Sequence, residues 1–335
     1  MQLVVLAECR ISSRSRILIM NSPQLSNSAG AKNVVLALSI GVTLLLWASA
    51  FAGIRVGLSG YAPQHLVLLR LLTASVALFF IAPFKRVRVP QLQDVPSLFL
   101  LGLTGITGYN LALSFGETHV SSGTASLLVN CAPVITAVLA VLLLKERILL
   151  RGWIGLIVSL GGVAIIVTTS GNRVAFNPWA FLVLLAAALQ SIFVILQKRL
   201  LADYQPLELT CYAIWSGTLV SLVFLPGFAT ACREASLQAT LAVIYLGIFP
   251  AALAYLSWAV VLSRLPATRA VSLLYAIPVL SFIIAWFWLH ESLQFSTVAG
   301  GTFALAGVML LNTAGREKRN QNPAQFAQRP VEPVD

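Results

Sequence analysis

Charged residues are scarce in this chain, and carboxylates are the scarcest of them. Only 10% of the 335 residues are charged, and just 11 are Asp or Glu. None of these acids falls in the middle of a long apolar run, which excludes a central carboxylate as a proton carrier. Glu117 with His119, at a turn between two runs, is the one pair placed to handle protons. A solvated loop accounts for both residues more simply.

Cysteine and histidine are also rare, with four and three residues. The cysteines form no close pair, so we expect neither a disulfide framework nor a metal site. The histidines lie at the ends of apolar runs, and the chain has no HExxH motif, no acidic pair and no phosphate-binding loop. We therefore expect no enzymatic activity, no cofactor and no ATP-driven pumping.

Long apolar runs dominate what is present, and 58% of the residues are hydrophobic. Nine charge-free runs each exceed the roughly 18–20 residues that cross a bilayer as a helix. A tenth run is interrupted only by Arg70. Since the backbone must satisfy its own hydrogen bonds in hydrocarbon, we predict an all-α polytopic membrane protein with ten transmembrane helices. In chain order, spans 1 to 10 cover residues 33–54, 66–84, 95–116, 120–144, 152–172, 174–197, 209–232, 235–263, 270–289 and 292–315.

The net charge of +11 follows the predicted topology. If both termini are cytoplasmic, 18 of the 22 basic residues fall on the cytoplasmic side. That asymmetry is the positive-inside rule for short loops. We therefore expect a multi-pass protein of the cytoplasmic (inner) membrane with the lipid bilayer, rather than nucleic acid, as its partner.

The chain repeats itself at an offset of 145 positions. Pro133 recurs as Pro278, and three glycines recur in the same register. So close a match indicates a tandem duplication. The expected organisation is a cytoplasmic leader at 1–33, a first repeat at 34–168, a second repeat at 178–312 and a disordered cytoplasmic tail at 316–335. Within the leader, translation is expected to start at Met20, so that residues 1–19 are not translated.

Each repeat holds five spans, which is an odd number. The second repeat must therefore enter the membrane inverted relative to the first. Inverted repeats are typical of alternating-access carriers, whose substrate site lies near the midplane between the repeats.

Several ordered motifs resemble a known family. They are Leu46-Trp47-Ala48-Ser49-Ala50-Phe51 in span 1, Leu69-Arg70 in span 2, a Ser-rich start of span 4 with Asn-x-x-Pro and a Lys-Glu-Arg end, and Gly-rich spans 5 and 10. Together, over residues 34–312, they resemble the EamA-type, two-repeat members of the drug/metabolite transporter superfamily. This chain departs from the family where a tryptophan is expected and Gln190 stands, and Arg70 has no clear counterpart in span 7.

The resemblance implies a secondary transporter of a small polar or amphipathic metabolite, amino-acid-like or drug-like. We expect it to work by alternating access and to export its substrate. Import of a sugar or nucleotide-sugar is the alternative within the carrier class. A polytopic membrane enzyme, or a receptor without transport, is the alternative outside it.

Polar and aromatic residues within the spans predict a substrate cavity between spans 3, 4, 8 and 9. Asn110 and Asn130 have Tyr255 and Tyr275 as their repeat equivalents, and Trp258 lies one turn beyond Tyr255. The amides would orient a polar group, and the aromatic rings would pack the body of the substrate. The alternative is that the polar groups only bond helix to helix.

Further candidates carry two interpretations each. Trp47 and Gln190, on the corresponding spans 1 and 6, either line the cavity or pack in the core. Arg70 either receives a substrate carboxylate or extends to a helix end. Pro133 and Pro278 are either hinges or inert kinks.

Small residues recur four apart in spans 5 and 10. Gly155 and Ser159 in span 5 correspond to Gly300 and Ala304 in span 10. Such steps let helices approach closely, either within the bundle or between the protomers of a homodimer.

Overall fold

The structure is a computed structural model that describes most of the chain. Its described residues are 23–85, 87–130, 132, 135, 150–169, 178–265, 270, 273–290, 295, 298–307 and 309–310. Pro133, residues 1–22 and the predicted tail lie outside them. Thirteen helical segments are numbered here α1 to α13: Pro23–Gly57, Pro63–Ile81, Val95–Leu101, Tyr109–Glu117, Ser122–Val129, Leu150–Thr169, Pro178–Leu200, Pro206–Ser221, Phe228–Glu234, Leu237–Leu246, Ala254–Arg264, Ile277–Leu289 and Val298–Gly307.

The all-helical prediction is confirmed across the described residues, none of which lies in a strand. Six helices are long and apolar enough to cross a membrane, and they correspond to spans 1, 2, 3, 6, 7 and 8. Shorter apolar helices at Trp153–Gly162, Leu274–Leu289 and Val298–Gly307 fall in spans 5, 9 and 10. Only the first part of span 4 is described, as α5. The total of ten membrane helices therefore stays a prediction.

The helices begin where local sequence favours a start. Pro63 and Pro206 occupy the first turns of α2 and α8, where a missing N–H costs nothing. Ser121 and Ser236 cap α5 and α10, and their hydroxyls accept the backbone N–H of Thr124 at 3.3 Å and of Ala239 at 3.2 Å. These signals set the starts of helices whose interiors are mostly apolar.

Spans 3 and 8 each contain a π-helical segment at the same place in the repeat. The segments are Gly102–Gly108, between α3 and α4, and Gly247–Leu253, between α10 and α11. A π turn adds a residue, which changes the face that the following helix presents. The duplication thus extends to a local irregularity of the backbone.

Glycines bring helices of the two copies into backbone contact. A Cβ on Gly102 would lie 2.6 Å from the backbone nitrogen of Gly217 in α8, and one on Gly247 would lie 2.6 Å from the carbonyl oxygen of Arg70 in α2. Span 3 of the first copy therefore packs on span 7 of the second, and span 8 packs on span 2.

Helices α6 and α13 make a second reciprocal contact. A Cβ on Gly162 would lie 2.4 Å from the backbone nitrogen of Ala304, and one on Gly307 would lie 2.4 Å from that of Ser159. Gly162 and Gly307 are repeat equivalents, as are Ser159 and Ala304. The small-residue steps of spans 5 and 10 are therefore used within the bundle.

A polar cluster joins the two copies at the loop between α2 and α3. The Arg88 guanidinium donates to both carboxylate oxygens of Glu208, at 2.8 and 3.0 Å. The Tyr204 hydroxyl donates to Asp94 at 2.6 Å, and Tyr212 donates to the Arg88 carbonyl. Glu208 also caps α8 through the backbone N–H of Gln205. The cluster fixes this loop against the start of α8.

Candidate functional site

A cavity lies between the two copies. Its empty volume is about 670 Å³, which includes solvent space at the open side. Residues of spans 1, 2, 3 and 4 form one part of its wall, and residues of spans 6, 8 and 9 form the other. The lining residues are Trp47, Ala50, Phe51, Ile54, Arg70, Tyr109, Leu113, Val129, Asn130, Ala132, Gln190, Tyr255, Leu274, Tyr275 and Ile277.

Aromatic rings form a packed wall of the cavity. Trp47 meets Tyr255 edge to face with ring centroids 5.3 Å apart, and Trp258 lies behind Trp47 at 5.5 Å. Phe193 supports Tyr255 from α7 at 5.7 Å. Such arrangements hold rings rigidly and offer a flat apolar surface to a ligand.

Two hydrogen bonds tether this wall to the π-helical segments. The Trp47 indole N–H donates to the carbonyl of Pro250 at 3.3 Å, and the Tyr255 hydroxyl donates to that of Gly105 at 3.1 Å. Gly105 and Pro250 are repeat equivalents. Each donor belongs to one copy and each acceptor to the other. We call the two bonds the aromatic tethers.

Two of the neutral polar residues that line the cavity, Asn130 and Gln190, carry amides. Asn130 donates its amide N–H to the carbonyl of Ser126 at 2.8 Å, so its position is fixed by its own helix. Gln190 is 7% exposed, and its amide oxygen has no hydrogen-bond partner among the described residues. An acceptor is therefore available to a ligand on the α7 side.

Among the described residues that line the cavity, Arg70 is the charged one. It lies in α2 and is 2% exposed. Its Nε has no hydrogen-bond partner among the described residues. The carboxylate of Glu117 acts on it electrostatically.

Six of the eight predicted substrate-binding residues line this cavity: Trp47, Arg70, Asn130, Gln190, Tyr255 and Tyr275. Asn110 does not line it, and its amide donates to the Ile106 carbonyl of its own helix at 2.6 Å. Trp258 is 1% exposed behind Trp47. Of the two predicted hinges, Pro278 is buried next to the lining residue Ile277, and Pro133 lies outside the described residues.

Three buried hydroxyl groups elsewhere in the spans bond helix to helix. The Thr107 hydroxyl donates to the Gly217 carbonyl at 2.6 Å, and the Ser122 hydroxyl donates to the Phe51 carbonyl at 3.3 Å. In the second copy, the Ser281 hydroxyl donates to the Ala48 carbonyl at 3.1 Å. For these hydroxyls the structure agrees with the packing interpretation.

The solvated-loop interpretation is wrong for Glu117. This residue is 0% exposed at the end of α4. Arg55 donates to its backbone carbonyl at 2.5 Å. His119, by contrast, is exposed and stacks on Trp179 with ring centroids 4.1 Å apart.

Sequence reasoning did not find Tyr109, Phe51 or Ile54, which also line the cavity. Phe51 and Ile54 stand four and seven positions after Trp47, and this helical spacing was a usable signal. Tyr109 directly follows a π-helical segment, and no sequence signal marks the resulting change of helix face.

Comparison with known proteins gives the same family model twice. The model described as the EamA-like transporter family matches residues 34–168 and again residues 177–313. The two matches together cover most of the chain, and each corresponds to one copy of the internal repeat.

Curated relatives match over most of their own length. The "Uncharacterized transporter YdfC" of Bacillus subtilis (strain 168) is 40% identical over 277 residues, which is 83% of this chain and 90% of the relative. The "Probable terminal-alkyne amino-acid exporter" of Streptantibioticus cattleyicolor is 39% identical over 286 residues, with 85% and 96% covered. The "Probable amino-acid metabolite efflux pump" of Salmonella typhimurium is 26% identical over 289 residues, with 80% and 92% covered.

The fold is also found among solved structures. One crystal structure of a protein superposes with a TM-score of 0.58 at 18% sequence identity, covering 84% of this chain and 98% of the other. At this identity the likeness concerns the fold alone.

Proposed function

We propose an export function for this chain, which belongs to the EamA-like transporter family and is a membrane transporter. Its substrate in this proposal is a small amphipathic metabolite of amino-acid-like chemistry, moved out across the cytoplasmic membrane. Transport proceeds by alternating access between two inverted repeats of five helices, with both termini in the cytoplasm.

The observation that carries the proposal is the position of the cavity. Its wall is built from both copies, with Trp47 and Asn130 on one side and Gln190 and Tyr255 on the other. A site shared between two repeats changes its accessibility when the repeats move relative to each other. An apolar wall with a few polar groups suits a small amphipathic solute.

The reciprocal contacts support the inverted arrangement. Gly162 and Gly307 make the same contact in opposite directions. The aromatic tethers also cross between the copies and end on the equivalent carbonyls of Gly105 and Pro250, although their donors are not repeat equivalents. Exchange of equivalent contacts is expected when two copies are related by a twofold axis. With the predicted five spans per copy, that axis would lie in the membrane plane.

The names of two relatives support the proposed direction and class of substrate. One relative named as an amino-acid exporter is 39% identical, and a second is named as an amino-acid metabolite efflux pump. No described residue of the cavity favours a sugar or nucleotide-sugar over this class.

The proposal is tested by overexpressing the protein and measuring metabolites in cells and medium. We expect one or more amino-acid-like compounds to rise in the medium and fall in the cells. Tolerance to a toxic amino-acid analogue should rise in parallel. Correct membrane insertion without any change in metabolites or tolerance would contradict the export function.

Two glutamines of α7 give a matched pair of variants for this assay. Gln190 and Gln197 are both buried, and neither amide oxygen has a partner among the described residues, but only Gln190 lines the cavity. Gln190→Ala should lower export by about two- to tenfold, because a neutral hydrogen bond to the substrate contributes roughly 0.5–1.5 kcal/mol. Gln197→Ala should leave export per inserted molecule unchanged. Equal effects would place the substrate elsewhere.

A further inference from the structure

Arg70 presents a buried cation to the cavity. Its side chain lines the cavity while only 2% of the residue is exposed. A guanidinium carries five N–H donors and stays charged, so burial does not remove its demand for acceptors. Arg70 Nε is nevertheless left without a partner among the described residues.

The described part of the chain supplies no ion pair for Arg70. The salt bridge found there joins Arg88 to Glu208, in the loop region between the copies. The Glu117 carboxylate influences Arg70 electrostatically but is not within ion-pair distance. An isolated buried charge costs several kcal/mol, unless an opposite charge compensates it.

The alternative role for Arg70 was to extend to water or to a helix end. A residue that is 2% exposed does not reach bulk water. No carbonyl among the described residues accepts its Nε either. Within the described part of the chain, the open space that it lines is what remains for the guanidinium.

We infer that the cavity takes a carboxylate-bearing amphipath, and that the Arg70 guanidinium binds its carboxylate. The inference rests on the proposed transport function and names its substrate class. The planar guanidinium matches a carboxylate with two parallel N–H···O bonds. Trp47, Tyr109 and Tyr255 border the same space and pack the apolar body. Cations and neutral amides are rejected, because neither supplies a negative charge to compensate the buried positive charge of Arg70.

The first test uses the purified, ligand-free protein. Arg70→Met keeps the length of the side chain and removes the charge, so the melting temperature should rise. Arg199→Met, at the exposed end of α7, is the control and should change it little. A lower melting temperature in Arg70→Met would show that Arg70 bonds the fold together, and would overturn the inference.

The second test uses four six-carbon probes that differ in charge: hexanoate, norleucine, norleucinamide and hexylamine. Hexanoate and norleucine should raise the melting temperature of the wild type, whereas norleucinamide and hexylamine should not. In Arg70→Gln the apparent affinity should fall by about tenfold or more, as expected for a hydrogen bond to a charged group. Arg70→Lys should recover part of it, because lysine keeps the charge but not the planar fork.

Other outcomes of this test overturn the inference. Equal shifts with hexylamine would show that the site does not select a carboxylate. A shift of the same size with inorganic phosphate would assign the cavity to phosphate-type anions instead.

Transport in proteoliposomes separates the two proposals. Norleucine efflux that is as fast in Arg70→Gln as in the wild type would overturn the inference and leave the transport function standing. Arg70-dependent binding of hexanoate and norleucine without any movement across the membrane would instead overturn the transport function.

Discussion

At the scale of single residues, Asn110 and Asn130 show how similar sequence signals lead to different positions. Each donates its amide to the carbonyl four residues earlier, at 2.6 and 2.8 Å. Only Asn130 lines the cavity, whereas Asn110, in α4, is held to the preceding π-helical segment, and its amide oxygen has no partner among the described residues. A polar residue in a membrane span is therefore a guide to the neighbourhood of a site rather than to the site itself.

These two asparagines separate binding from stability. Asn130→Ala should raise the KM for the exported metabolite by roughly two- to tenfold, because one neutral ligand hydrogen bond is lost. Asn110→Ala should leave the KM unchanged and alter the melting temperature of the purified protein. Both are read in the same vesicle transport and melting assays. If Asn110→Ala raised the KM more than Asn130→Ala does, the assignment of Asn130 rather than Asn110 to the cavity wall would be contradicted.

Much of the cavity could be predicted from the sequence, because polar and aromatic groups stand out in apolar runs. Trp47, Arg70 and Gln190 were identifiable in this way. Tyr109 was not, because the π-helical segment before it breaks the 3.6-residue period from which helix faces are deduced. The burial of Glu117 was hidden for another reason, since loop folding depends on contacts distant in sequence.

At the scale of helices, the small-residue steps have a definite use. Their spacing in the sequence left open whether they pack within the bundle or between protomers. The contact between α6 and α13 places them within the bundle, with backbones close enough to exclude a methyl group. The spacing predicts close approach, and the partner depends on the topology.

Adjacent glycines of α6 test this contact. Gly162→Ala should destabilise the protein by about 1–3 kcal/mol, because its Cβ would meet the backbone of α13. Gly161→Ala is the control, since a Cβ there meets nothing within 4 Å and alanine favours the helix. The comparison is made by melting the two purified variants. Equal melting temperatures would mean that α6 and α13 are not in backbone contact.

At the scale of the whole molecule, the internal repeat of the sequence predicts how the helices are arranged better than it predicts where each helix begins and ends. The repeated π-helical segments and the glycine contacts keep the 145-residue offset. The polar cluster around Arg88 and Glu208 does not recur among the described residues, so the two copies differ at their edges. Sequence periodicity predicts the contacts that the two copies share. Contacts that only one copy makes can be identified only from the three-dimensional structure.

Membrane orientation is tested by labelling cysteines in a variant that lacks the native ones. Lys85 and Thr230 are both exposed and stand 145 positions apart. Lys85→Cys should react with an impermeant maleimide only after the cells are permeabilised, because it follows the basic, cytoplasmic end of span 2. Thr230→Cys should react in intact cells. Labelling of both from one side would contradict the inverted repeats.

The aromatic tethers have a mechanical consequence. Trp47 and Tyr255 are in edge-to-face contact, yet each is anchored to the helix backbone of the opposite copy. The pair is therefore a crossed linkage, in which a force on either ring is transmitted to both halves. A solute that separates the two rings strains both hydrogen bonds at once. The strain is therefore relieved only when both copies of the repeat move.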